Sequence, residues 1–183
     1  MKAASAPLLL REMSPMPGDR ILVVNAASGH IPEAILKKYG KTIDLTCTET
    51  NRHLMEMVEE KVSGRADIVR TRMTEFPFAD LTFDIVLSIC DIEFVKDKNI
   101  FLKNIRSLLK PRGRMILASY HPVGIMSFFR QLDWRCFNRK YFGRVDRKDI
   151  LSLFSQSGLK LMRTKILKVL GDQEIILAKG VRN

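Results

Sequence analysis

Short apolar runs alternate with amphipathic segments along this chain, and that alternation constrains its fold most. Residues 21–24 (ILVV) follow Pro17-Gly18-Asp19, a turn signal before a buried strand. Residues 31–39 carry apolar side chains at helical spacing, and Gly40 ends the run. Residues 42–48 read as a second strand. Asn51 then caps a helix with Leu54, Met55, Val58 and Val62 on its apolar positions. Residues 66–69 and 83–89 are the third and fourth strands. Residues 99–110 place Phe101, Leu102, Ile105, Leu108 and Leu109 on one helical face, stopped by Pro111-Arg112-Gly113. A fifth strand spans 115–120. Asp146 opens a helix that ends at Gly158. Residues 159–170 and 174–181 form two last strands around a Gly171-Asp172 hairpin turn.

Strands that alternate with helices build parallel units with both sheet faces covered. The expected fold class is α/β. It is a Rossmann-like open sheet of about seven strands, mostly parallel with an antiparallel last strand, and helices on both faces. Ligands of such sheets bind beyond the carboxyl ends of the strands. The loops to inspect are therefore 25–30, 49–51, 72–76, 90–94 and 120–122.

At 183 residues, 46% of them hydrophobic, the chain is long enough to bury a core, and 1–183 is expected to be one domain. This composition excludes a disordered or fibrous protein. No apolar run is long enough to span a membrane, and residues 3–10 lack the tail of a signal peptide. Three widely spaced cysteines (Cys47, Cys90, Cys136) argue against a disulfide framework and for a cytoplasmic setting. The net charge of +11 is uneven: residues 1–100 carry −2 and residues 101–183 carry +13. The basic half points to an anionic partner.

The first strand-end loop, Asn25-Ala26-Ala27-Ser28-Gly29-His30, is made of small residues and leads into a helix. Such a loop lets a ligand approach backbone N–H groups. Glu49 follows twenty residues after Gly29, at the end of the second strand, where a carboxylate can hold a ribose diol. Together they suggest a nucleotide-bearing cofactor. A nicotinamide oxidoreductase also fits these two features, but the GxGxxG fingerprint is missing.

The strings FPFADLTFDIVLS (76–88) and LLKPRGRMIL (108–117) are the most specific part of the sequence. With the loop and Glu49, they make the chain resemble the class I S-adenosylmethionine-dependent methyltransferase family, in its small-molecule, ubiquinone/menaquinone methyltransferase-like group. The resemblance runs from about residue 17 to 121 and resumes weakly at 146–170. It implies S-adenosylmethionine as cofactor, bound across the carboxyl edge of a seven-stranded sheet. By the same resemblance Asn25, Ala27 and Gly29 take the three loop-glycine positions, with Gly29 beside the methionine part of the cofactor. Glu49 holds the ribose, Thr50 and Asn51 border the adenosine, and Met73 and Thr74 lie by the adenine. Cys90 and the residues after it face the transferred methyl.

The loop departs from the family pattern. Val23 stands where the family has an acid, Asn25 and Ala27 where it has glycines, and Arg72 where it has an aspartate. Two readings follow. One is a methyltransferase acting on a small apolar or anionic acceptor. The other is a non-catalytic binding or scaffold protein on the same fold that has lost normal cofactor binding.

Asp91, Glu93 and His121 are the candidate catalytic residues, as proton acceptors over the pocket. No metal site is expected, because the cysteines and histidines lack ligand spacing. Residues 121–148 carry a net charge of +5 and six of the fourteen aromatics. This segment is expected to act as a lid over the acceptor or as an interface. Membrane-surface contact through 125–144 and a homodimer are further options, whereas nucleic acid is not expected. The protein would then be cytoplasmic or peripheral to a membrane.

Overall fold

A computed structural model describes residues 2–122, 142–143, 145–170 and 173–182. Seven strands form one sheet: β1 (Arg20–Val24), β2 (Asp44–Glu49), β3 (Asp67–Arg70), β4 (Phe83–Ile89), β5 (Leu109–Pro122), β6 (Leu159–Leu170) and β7 (Gln173–Arg182). Their spatial order is β3-β2-β1-β4-β5-β7-β6. The first five pair in parallel, and β7 runs antiparallel to both β5 and β6. The expected seven-stranded, Rossmann-like sheet is what the chain forms. The order reverses between β1 and β4, and in parallel sheets that switch opens a crevice at the carboxyl edge.

The described helices are α1 (Lys2–Met13), α2 (His30–Tyr39), α3 (Arg52–Val62), α4 (Lys98–Leu108) and α5 (Arg147–Ser157). Alternation along each strand splits the core in two. Ile21, Val23, Leu45, Cys47, Ile85 and Leu87 face one cluster, which also receives Leu9, Met13, Ile35 and Val58 from α1, α2 and α3. Leu22, Val24, Val86, Met115 and Leu117 face the other, with Phe101 and Ile105 of α4 and Ile150 and Phe154 of α5. Helices thus cover both faces, as period-2 strands between amphipathic helices require.

The local differences have physical causes. Residues 3–10 contain Pro7, yet they lie in α1, which buries Leu9 and Met13 against the first core. The second strand starts later than its apolar pattern suggests, because Gly40–Thr42 form a 3₁₀ turn. Pro111-Arg112-Gly113 lies within β5 instead of ending a helix before it. The pairing with β4 shifts register between Phe83 and Ile85, and Arg112 takes φ 64°. Such an irregularity accommodates a proline within a sheet. The 171–172 turn, and most of the basic aromatic segment (123–141 and 144), lie outside the described residues.

Gly180 on β7 tests the second core. A Cβ there would lie 2.4 Å from Cε1 and 2.6 Å from Cδ1 of the fully buried Phe154. Gly180→Ala should cost about 1–3 kcal/mol through overpacking, read as a lower urea midpoint with an unchanged slope.

Candidate functional site at the carboxyl edge

The loop after β1 keeps a three-glycine backbone path with only one glycine. Asn25, Ala27 and Gly29 all take positive φ, at 49°, 52° and 77°. Asparagine tolerates this region, whereas alanine is strained in it by about 1 kcal/mol or more. Strain of this kind persists only where its surroundings over-determine the backbone.

Glu49 is the main source of that determination. Its carboxylate is only 3% exposed. Oε2 accepts the Ala27 N–H at 2.8 Å, and Oε1 accepts the N–H groups of Thr50 (2.9 Å) and Asn51 (3.1 Å). The loop is also zipped to the end of β2. The Ala26 N–H donates to the Thr48 carbonyl at 2.8 Å, and the Asn25 N–H donates to Thr48 Oγ1 at 3.1 Å. A carboxylate has about four acceptor positions, and three are taken. In this arrangement Glu49 offers one position, on Oε2, to a ribose hydroxyl rather than two to a diol.

A second clamp comes from β4. The Asn25 amide donates to Asp91 Oδ1 at 2.8 Å. Asp91 is fully buried, and its Oδ2 accepts from the Ile89 N–H at 2.8 Å and from Ser88 Oγ at 3.2 Å. Asp91 therefore ties the two central strand ends together. Between them Cys90 takes φ 55°, and its N–H donates to the Ala118 carbonyl at 2.7 Å. Three of the non-glycine residues with positive φ thus gather at this edge.

Gly29 serves packing as well as the turn. A Cβ would meet Val58 Cα at 3.0 Å and Lys61 Cδ at 3.3 Å. From α3, Lys61 donates to the Ser28 carbonyl at 2.6 Å and lies 3.2 Å from the His30 ring. The N-terminus of α2 has no side-chain cap, so its first N–H groups remain for a ligand.

The other candidates border this centre. The Thr50 hydroxyl donates to the Thr71 carbonyl, and Asn51 caps α3 by accepting the Leu54 N–H. Met73 and Thr74 lie half-buried in the turn after β3. Met73 packs on the second core, and the Thr74 carbonyl accepts from Asn104. Arg72 is exposed and pairs with Glu75 at 3.1 Å. Glu93, 3% exposed, accepts from Ser119 Oγ at 2.9 Å, and its carbonyl accepts the Phe142 N–H at 2.8 Å. His121 pairs with Glu174 through its backbone on β5, and its side chain is outside the described residues. Val23 is buried between Cys47 and Leu87 in the first core, so an acid there would be desolvated. The Cys47 thiol is pushed up to about 12 by burial and then by the Asp67 charge, so it is no nucleophile at neutral pH.

Sequence reading missed three residues that bond to the loop or to the candidate carboxylates, Lys61, Ser88 and Ser119. The serines had a visible signal, since each follows an apolar run towards the carboxyl end of its strand.

The methyltransferase domain family matches residues 23–117, just over half of the chain. The chain belongs to the class I S-adenosylmethionine-dependent methyltransferase family. The departures at Val23, Asn25, Ala27 and Arg72 thus do not carry it out of the family, and they leave the loop's backbone path intact.

Among curated relatives, a ubiquinone/menaquinone biosynthesis C-methyltransferase of Paraburkholderia phymatum is 24% identical over 110 residues, covering 58% of this chain and 45% of the relative. The enzyme of that name from Haemophilus ducreyi is 27% identical over 108 residues, covering 56% and 42%. The chain spans less than half the length of these relatives in the match. Among solved structures, a SAM-dependent methyltransferase of Methanosarcina mazei superposes with TM-score 0.76 at 14% identity, covering 94% of this chain and 96% of that one. Phosphoethanolamine N-methyltransferase 2 of Haemonchus contortus, in complex with S-adenosyl-L-methionine, gives 0.81 at 15% identity, covering 97% and 52%.

Glu49→Gln should destabilise the fold by about 2 kcal/mol, because an amide cannot accept all three N–H groups. Ala27→Gly should instead stabilise it by up to about 1 kcal/mol by relieving the positive φ. Urea denaturation of both variants checks the opposite signs.

Proposed function

We propose that the chain transfers a methyl group from S-adenosylmethionine to a small apolar or anionic acceptor. The observation that carries this reading is the positive-φ loop latched to Glu49 at the switch between β1 and β4. The residues present fit the cofactor. Oε2 of Glu49 keeps an acceptor position for a ribose hydroxyl, the α2 N-terminus is uncapped, and Gly29 keeps the loop close to α3. When bound, the cofactor supplies a sulfonium-activated methyl group. The chain's own part would be to hold the acceptor in line with that methyl group and to take up the proton the acceptor loses.

Asn25, Ala27, Glu49 and Asp91 act by positioning. They hold the strand ends in one geometry, which is where most of the rate enhancement of a direct displacement arises. The hydrogen bonds at both oxygens of Asp91 fit it for this role. Glu93, on the turn after β4 and bonded to Ser119 of β5, is the proposed proton acceptor, with His121 the next candidate. The basic aromatic segment is proposed to cover the acceptor. The apolar option draws support from the relatives named for ubiquinone and menaquinone methylation, and the anionic option from the +13 charge of residues 101–183. No helix among the described residues is long and apolar enough to cross a membrane; membrane-surface contact remains part of the proposal.

Calorimetry with S-adenosylmethionine and S-adenosylhomocysteine tests the reading. Binding of both is expected, tighter in Ala27→Gly, and no binding of either at millimolar concentration removes it. Glu93→Gln should lower kcat about 100-fold while leaving the S-adenosylhomocysteine affinity unchanged.

A further inference from the structure

A cleft of about 310 Å³ opens between the start of α4 and the first two turns of α5, lined by Lys98, Val145, Asp149, Ser152 and Leu153. This volume is at the small end of ligand sites. Both helices begin at the carboxyl edge of the sheet, the edge that holds the cofactor loop. Val145 is buried and Leu153 half-buried, so the cleft has an apolar floor, while Asp149 and Ser152 stand exposed at its mouth.

Lys98 is the unusual member. Its side chain is half-buried and makes one hydrogen bond, to the Val95 carbonyl at 3.2 Å. It forms no ion pair within 4 Å among the described residues. Burial lowers the pKa of its ammonium, and the more distant charges of Glu93 and Asp149 oppose that only in part. A partly desolvated cation facing a cleft is stabilised by an anion that enters it.

Other groups narrow the ligand. Asp149 turns Oδ2 to the Asp146 N–H in the capping box of α5, and it can accept one more donor from the cleft. Ser152 Oγ accepts from Gln156 at 2.7 Å, and its own proton has no acceptor among the described residues. The helix N-termini themselves are satisfied, by Asp97 on α4 and Asp146 on α5. The cleft thus offers a cation, a hydroxyl donor, a carboxylate acceptor and an apolar floor.

We infer that this cleft binds a small organic carboxylate bearing an adjacent hydroxyl or amino group, with its carboxylate on Lys98, its donor on Asp149 and its apolar part on Val145 and Leu153. The ligand is the methyl acceptor, a step that rests on the methyl-transfer reading. Lys98 lies five residues after Glu93 on the segment following β4, so the anchor and the proposed proton acceptor stand on the same connection at the carboxyl edge.

The test uses three probes on the full chain: 3-phenyllactate, its methyl ester, and 3-phenylpropanoate. Amide signals of Lys98, Ser152 and Leu153 are followed by NMR. Phenyllactate should give saturable shifts at these residues, with at least tenfold weaker binding for the ester and several-fold weaker binding for phenylpropanoate. Lys98→Met should weaken phenyllactate binding at least tenfold, and Lys98→Arg should restore part of it. Equal binding of acid and ester, equal binding by Lys98→Met, or no phenyllactate shifts at these residues overturns the assignment. S-adenosylhomocysteine affinity is measured on the same samples and should be unchanged in Lys98→Met. If phenyllactate binds as expected but S-adenosylhomocysteine binds nowhere, the methyl-transfer reading falls and the carboxylate site stands.

Discussion

The hydrogen bonds received by the buried Glu49 carboxylate hold the site together. A buried charge is tolerated only when its acceptors are filled, and Glu49 fills three of them with the N–H groups of Ala27, Thr50 and Asn51. Those donors come from the carboxyl ends of two neighbouring strands, Ala27 after β1 and Thr50 and Asn51 after β2. The carboxylate therefore fixes the loop after β1 against the start of α3 before any ligand arrives. The Asn25–Asp91 bond does the same between β1 and β4. Together the two clamps replace glycine freedom with side-chain restraint. The loop follows a glycine path because its surroundings leave it no other.

This exchange has a functional side. A loop already in position costs little to order when the cofactor binds, and preorganisation raises affinity by removing that cost. The same bonds occupy acceptor positions that a ribose would otherwise use. The three donors on Glu49 therefore act in both directions on cofactor affinity: they order the loop in advance, and they fill acceptors that a ribose could use.

Much of the fold was visible in the sequence because it rests on repetition. Residues 83–89 matched β4 at both ends, Asn51 caps the helix it was expected to cap, and α5 starts at the expected place, with Asp146 as its cap. Period-2 and period-3.6 patterns are averaged over many residues, so single exceptions do not erase them. What stayed hidden depended on one contact at a distance. Helix α1 is held by Leu9 and Met13 against a sheet that local propensity cannot anticipate. The strand through Pro111-Arg112-Gly113 depends on an irregularity opposite Phe83. At the site, Glu49 and the loop were recognisable by spacing. That Asp91 is clamped to Asn25, and that Lys61 supports Ser28, follows only from three-dimensional proximity.

The uneven charge also takes on a structural meaning. Among the described residues, three ion pairs join an acid of the first hundred residues to a cation beyond them: Asp84 with Lys110, Asp19 with Arg114, and Glu12 with Lys165. Lys179 donates to the Glu12 carbonyl, and Arg182 donates to three carbonyls at the end of α4. Each of these part-buried pairs adds only modestly on its own. As a set they tie the antiparallel end of the sheet to α1 and to the amino ends of β1 and β4, away from the cofactor loop. Part of the basic excess is thus committed to holding the two halves together at the edge opposite the site. Lys98 belongs to the first half and makes no such pair. Its position at the carboxyl edge, beside an open cleft, distinguishes it from the cations that serve the fold.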